Sequence, residues 1–168
     1  MSTLVHVSTY THSVTFVTDK MLTSLKRIII WIGLDPWKLT ADWEALERGI
    51  RKWLETRYLL SVVLEVYRPS SAVLIGRWDF EIEYSFQIEA DGTMWTDTDA
   101  IKFAIRKCGI DPAECEYRVV AITREGRPDV EGWWRTTLRS TDGFVRYSIG
   151  TTIGASPLGS RAAYWRRI

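Results

Sequence analysis

The sequence predicts an α+β domain in which helices cover one face of an antiparallel sheet. Three observations carry that prediction. Two helical periodicities precede any strand pattern, the strand patterns then follow one another as a meander, and a single further helix interrupts them. A doubly wound parallel sheet would alternate helix and strand from the start, and the order argues against it. The 168 residues, 46% hydrophobic and 26% charged, fit one domain with a real core. Nine tryptophans are a surplus for this length.

Residues 3–10 alternate apolar and polar side chains, with Leu4 and Tyr10 out of phase with Val5 and Val7, and read as a short strand or tethered arm. Ser13 is placed to cap a long helix whose apolar positions Val14, Val17, Met21, Leu22, Leu25, Ile28, Ile29 and Ile32 recur at three and four until Gly33. Phe16 and Ile30 fall off that stripe, as expected of a helix enclosed by a sheet and other helices. After the break at 33–36, Thr40 can cap a second helix with Trp43, Leu46, Ile50, Trp53 and Leu54 on its inner face. Strand character begins at Tyr58. Leu60, Val62, Leu64 and Val66 alternate with their neighbours, residues 68–72 turn, and a second strand starts at Val73. Gly76 can bend that strand before the cleanest alternation in the chain, with Phe80, Ile82, Tyr84, Phe86 and Ile88 on one side and Asp79, Glu81 and Glu83 on the other. Asp91 and Gly92 make a turn. A third helix, capped by Asp97 or Thr98, runs through Ile101, Ala104, Ile105 and Cys108 to Gly109, and a strand through Tyr117, Val119, Ala121 and Thr123 follows.

Much chemistry is excluded by composition and spacing. A net charge of +1 supplies no global field for nucleic acid or an anionic membrane. Cys108 and Cys115 read as reduced thiols of a cytoplasmic protein, and His6 and His12 lie too far from them to complete a zinc site, so no metal or cofactor is expected. The N-terminus lacks a signal-peptide pattern, and the longest apolar run is too short to span a bilayer. Two alternatives stay open. Asp79, Glu81 and Glu83 share one strand face, where paired carboxylates of a metal-dependent hydrolase or nuclease could sit, although such a face normally just meets water. Arg161, Arg166 and Arg167 with Tyr164 and Trp165 could form a patch for single-stranded nucleic acid.

The last segment, residues 132–168, is distinctive. Trp134, Thr136 and Leu138 alternate with Arg135, Thr137 and Arg139, a turn falls at 140–143, and Phe144, Arg146 and Ser148 alternate with Val145, Tyr147 and Ile149. Gly150, Gly154, Pro157 and Gly159 then break the chain before Tyr164 and Trp165. These are strand-forming pieces rich in aromatics, joined by glycines that permit more than one placement.

Several motifs, YTHSVTFVTDKMLTSLKRII, GLDPWKL, GRWDFEI, DTDAIKFAIRKCGI, and above all GRPDVEGW with STDGFVRYSIGTTIG, resemble the bacterial HORMA domain family over essentially the whole chain. The resemblance implies a HORMA fold, three helices packed on an antiparallel sheet, with an N-terminal arm (1–12), a core (13–131) and a C-terminal safety belt (132–168). It further implies a non-enzymatic regulator that traps a closure-motif peptide as an added strand beneath the belt. In its closed state such a regulator binds and activates a CD-NTase second-messenger synthase in anti-phage defence of the CBASS type, and an AAA+ ATPase resets it. The residues expected to serve are Trp134, Leu138, Phe144, Tyr147, Ile149 and Trp165 for belt and peptide, with the 98–108 helix and its neighbouring strand edge framing the groove. Val5, His6, Val7 and Tyr10 are expected as the remodeller's handle. Nucleic acid is not expected to be bound directly.

Overall fold

The structure, a computed structural model, describes residues 5–87 and 94–168, with the side chains of 5–9 left out. Helix α1 spans Val5–Ile32, so residues 5–10 form its first turns and not a strand. Nothing between Val5 and Ser13 breaks a helix, and extending one already nucleated adds a hydrogen bond per residue. Ser13 is consequently no cap: it lies buried inside α1, and its hydroxyl donates to the Ser156 carbonyl at 2.9 Å. The apolar stripe named above is fully buried from Val14 to Ile29, while Ile30 stays exposed.

The expected second helix is two. A short α2 (Trp37–Ala41) precedes α3 (Trp43–Glu55), and Thr40 lies within α2, donating to the Pro36 and Trp37 carbonyls instead of capping α3. Sequence periodicity does not separate two helices that meet at one residue, Asp42. Strands β1 (Leu59–Arg68) and β2 (Val73–Glu83) pair antiparallel. Gly76 does not split β2: the register slips between Val66 and Tyr67, absorbing one extra residue as a bulge. β2 stops at Glu83, short of the expected Phe86, whose backbone N–H donates to the Pro157 carbonyl. The expected Ile88 and the Asp91-Gly92 turn lie outside the described residues. A two-residue β3 (Trp95–Thr96) leads into α4 (Thr98–Cys108), which Asp97 caps through the Ala100 N–H and Gly109 ends in the left-handed conformation, as the sequence predicts.

Strand β4 (Glu116–Thr123) and the hairpin β5 (Phe144–Ala155) and β6 (Leu158–Arg167) complete an antiparallel sheet in the order β3-β5-β6-β2-β1-β4. Gly150 and Gly154 are not breaks but lie inside β5, where the register against β6 slips between Ser148 and Gly150 and skips Ile149, with Gly150 at φ +103°. Val62, Leu64, Val66, Trp78, Phe80 and Tyr117 face α1, α3 and α4 in one core, and their neighbours Val63, Glu65, Arg77, Asp79 and Arg118 face the other side of the sheet. Among the described residues no helix is long and apolar enough to cross a membrane.

Phe80 is wholly buried at the centre of that core. Phe80→Ala is expected to lower unfolding free energy by about 3–5 kcal/mol, read as a reduced midpoint in chemical denaturation with an unchanged slope.

Candidate functional site

β4 is an edge strand, paired on one side by β1 and bare on the other among the described residues. An exposed edge offers unpaired N–H and C=O groups and is normally covered. Here the cover comes from residues 124–143, which carry no strand, contrary to the alternation expected at 134–139.

After β4 the chain doubles back along α3. The Arg124 N–H donates to the Tyr58 carbonyl, Trp53 Nε1 donates to the Pro128 carbonyl, and Arg48 donates to the Glu131 carbonyl. Trp133 then anchors the segment on the helical side. Its ring meets Trp53 edge-on with centroids 5.1 Å apart, and its Nε1 donates to the Ala45 carbonyl at 2.7 Å. Two glycines permit that approach. A Cβ at Gly132, which holds φ +93°, would come within 2.9 Å of the Ala45 Cβ, and one at Gly49 within 2.2 Å of the Trp133 indole nitrogen.

From Trp133 the chain rounds the β4 edge to the opposite face of the sheet. Arg118 of β4 donates to Thr136 Oγ1 at 2.9 Å and to the Thr137 carbonyl, and the Arg139 backbone N–H and guanidinium both donate to Glu65 of β1. Residues 132–139 thus form a strap bridging the two faces across the edge. No backbone hydrogen bond joins residues 134–138 to β4. Between strap and edge lies a cavity of about 780 Å³, lined by residues 119–127, Trp53 and residues 133–138. It continues into a second of about 440 Å³ between α2, α3, Tyr117 and Val119, with Lys38 and Asp42 in its lining. The geometry is a groove along a bare strand edge, roofed by a strap: space and hydrogen-bonding groups for one extended chain.

The expected belt residues separate. Trp134, 82% exposed, and Leu138 line the groove. Phe144, Tyr147, Ile149 and Trp165 belong to the β5–β6 hairpin at the far side of the sheet, with Tyr147 stacked on Tyr164 and Trp165 Nε1 donating to Asp79 at 3.0 Å. α4 does not frame the groove, since it packs on α1, β5 and β6. A strand edge is expected, but that β4 supplies it escapes sequence reading because an edge strand and a central one alternate alike, and the walls Trp53 and Trp133 carry no local signal of the groove. Tyr10 donates to the Leu54 carbonyl at 2.6 Å, and Val5, His6 and Val7 are in α1 with their side chains undescribed.

The carboxylates weighed for hydrolysis are committed to arginines. Asp79 meets Arg77 at 2.6 Å and Arg146 at 3.8 Å, Glu81 meets Arg146, and Glu83 meets Arg161 at 3.2 Å. Most of the patch considered for nucleic acid is likewise engaged: besides Arg161 and Trp165, Tyr164 stacks on Tyr147 and Arg167 donates to the Leu74 carbonyl, while Arg166 is exposed. Burial pushes the Cys108 thiol up to about 11 and raises that of Cys115, so neither supplies a thiolate at neutral pH.

The family model for bacterial HORMA domain 2 matches residues 1–168. The chain belongs to the bacterial HORMA domain family. A chain of the mitotic checkpoint complex superposes with a TM-score of 0.75 at 11% identity, covering 93% of this chain and 99% of that one. Caenorhabditis elegans HTP-1 bound to the HIM-3 closure motif superposes at 0.69 and 12% identity, covering 94% and 91%. A chain of the Escherichia coli MS115-1 HORMA:CdnC:Trip13 complex superposes at 0.58 and 15% identity, covering 95% and 91%. At such identities these likenesses show the HORMA fold. No curated protein matches the chain in sequence.

Gly49→Ala tests the anchor of the strap. The added methyl should expel the Trp133 ring while raising the helix propensity of α3 by about 1 kcal/mol. Faster tryptic cleavage at Arg135, with thermal stability retained, is the expected pair of results.

Proposed function

We propose that this HORMA protein is a peptide-binding switch, with residues 132–168 as its safety belt around a core ending near residue 131. The observation that carries the reading is the bare β4 edge enclosed by the strap. An extended closure-motif peptide would pair with that edge by backbone hydrogen bonds. Alternate side chains would enter the cavity beside Tyr117 and Val119 on one face and meet Val120 and the Thr136-Thr137 backbone on the other. Trp134, exposed on the roof, would fold onto the bound chain. Such a protein turns over no substrate. The arrangement corresponds to the closed state, in which a chain threaded under the belt leaves slowly because the belt must detach first.

The closed form is the one we propose to bind and activate a CD-NTase in cyclic-oligonucleotide anti-phage defence. The E. coli HORMA:CdnC:Trip13 complex among the structural relatives supports that partner class, and the HTP-1 complex supports the peptide. An AAA+ remodeller would act from the N-terminal end of α1, at Val5, His6, Val7 and Tyr10. Unwinding there would detach Tyr10 from Leu54, next to Trp53, on which Trp133 rests. Force at the N-terminus thereby has a short route to the belt.

Isothermal titration against candidate closure peptides, with CD-NTase product formation as a second readout, tests the reading. Trp134→Ala should weaken peptide binding about tenfold, the equivalent of about 1.4 kcal/mol, at unchanged thermal stability. Absence of binding to every peptide and to the synthase would refute it.

A further inference from the structure

The strap's second anchor is a buried charge, and its partners divide between the fixed sheet and the belt. Glu65 sits at 0% exposure on β1, directly across from Arg118 in the ladder and facing away from the helices. Its Oε1 accepts from Arg118 Nε at 2.6 Å and from the Arg139 guanidinium at 2.9 Å, and its Oε2 accepts from the Arg139 backbone N–H at 2.7 Å. Two of these three donors come from the strap. Arg139 is itself held by the Ala72 carbonyl at 3.2 Å and by the Tyr67 ring, 3.5 Å from its guanidinium. Arg118 extends the same network to Thr136 and Thr137. A buried carboxylate is tolerated only when paired and fully hydrogen-bonded, so lifting the strap removes most of what satisfies Glu65 before water can replace it.

The two ends of the roof therefore differ in kind. Trp133 is held by ring contact and one hydrogen bond, whereas Arg139 is held by a desolvated ion pair that must break as a unit. Neither Glu65 nor Arg139 lines the groove, so a threaded peptide need not touch them.

We propose that Glu65 is the clasp of the belt: by bridging Arg118 of β4 to Arg139 of the strap, it sets how often the groove opens, and thereby how fast a peptide enters and leaves. This rests on the peptide-binding reading above. Glu65 and Arg139 act through the strap's position and are positioning residues. Loss of the clasp raises association and dissociation rates together and leaves the dissociation constant nearly unchanged. Loss of a groove contact such as Trp134 raises dissociation alone.

Arg139→Ala is the principal variant because Arg139 lies on the strap outside the core, and Arg139→Lys keeps the charge without the fork. Stopped-flow binding of a closure peptide is expected to show both rate constants rising about tenfold to a hundredfold in Arg139→Ala, as for loss of a charge-assisted hydrogen bond, with Arg139→Lys intermediate. Wild-type kinetics, or a rise in dissociation alone, would overturn the clasp. Hydrogen exchange on the free full-length chain probes the clasp without any peptide. Amides of residues 134–140 should exchange about tenfold or more faster in Arg139→Ala while those of β1 and β2 keep their protection, and unchanged strap exchange would also overturn the clasp. If the wild type binds no peptide but strap exchange accelerates as expected, the clasp stands and the peptide reading falls.

Discussion

The outer edge of β4 carries peptide groups that no strand satisfies among the described residues, and the path of residues 124–143 answers to that fact. A covering strand would complete the sheet and leave no room for a partner. A strap held a short distance away does otherwise: it shields the edge from indiscriminate pairing and keeps its hydrogen-bonding groups available to one threaded chain. The strap can hold that distance because it is fastened at two points on opposite faces of the sheet, Trp133 against α3 and Arg139 against Glu65.

Those fastenings use different physics for different ends. Trp133 exchanges water for the Trp53 ring and the α3 backbone, an interaction that tolerates small shifts. The Glu65 network tolerates little, because each donor it loses leaves part of a buried charge uncompensated. The rest of the outer sheet face follows the same rule. Arg77, Asp79, Glu81, Glu83, Arg146 and Arg161 neutralise one another across β2, β5 and β6, so carboxylates resembling a catalytic set in one dimension become structural ion pairs in three.

The α+β class, the antiparallel sheet, α1 and its buried stripe, α4 with both caps, and the β1–β2 hairpin were legible because each follows from local periodicity or capping chemistry. The errors have local causes too. A helix and a strand are both compatible with residues 5–10, where neither pattern repeats often enough to decide. Residues 134–139 alternate like a strand but join no strand of the sheet among the described residues, since alternation within one segment does not report whether a neighbouring strand exists.

By itself the chain therefore determined its elements, the inward faces of those elements and its family, all encoded in spacing and in short motifs. The tertiary structure alone decided which strand became the bare edge, that the strap rounds it, and that Glu65 meets two arginines from positions 53 and 74 residues away in sequence. Pairing across such separations depends on strand order, and no periodicity of a single segment carries strand order. The groove exists only in that order.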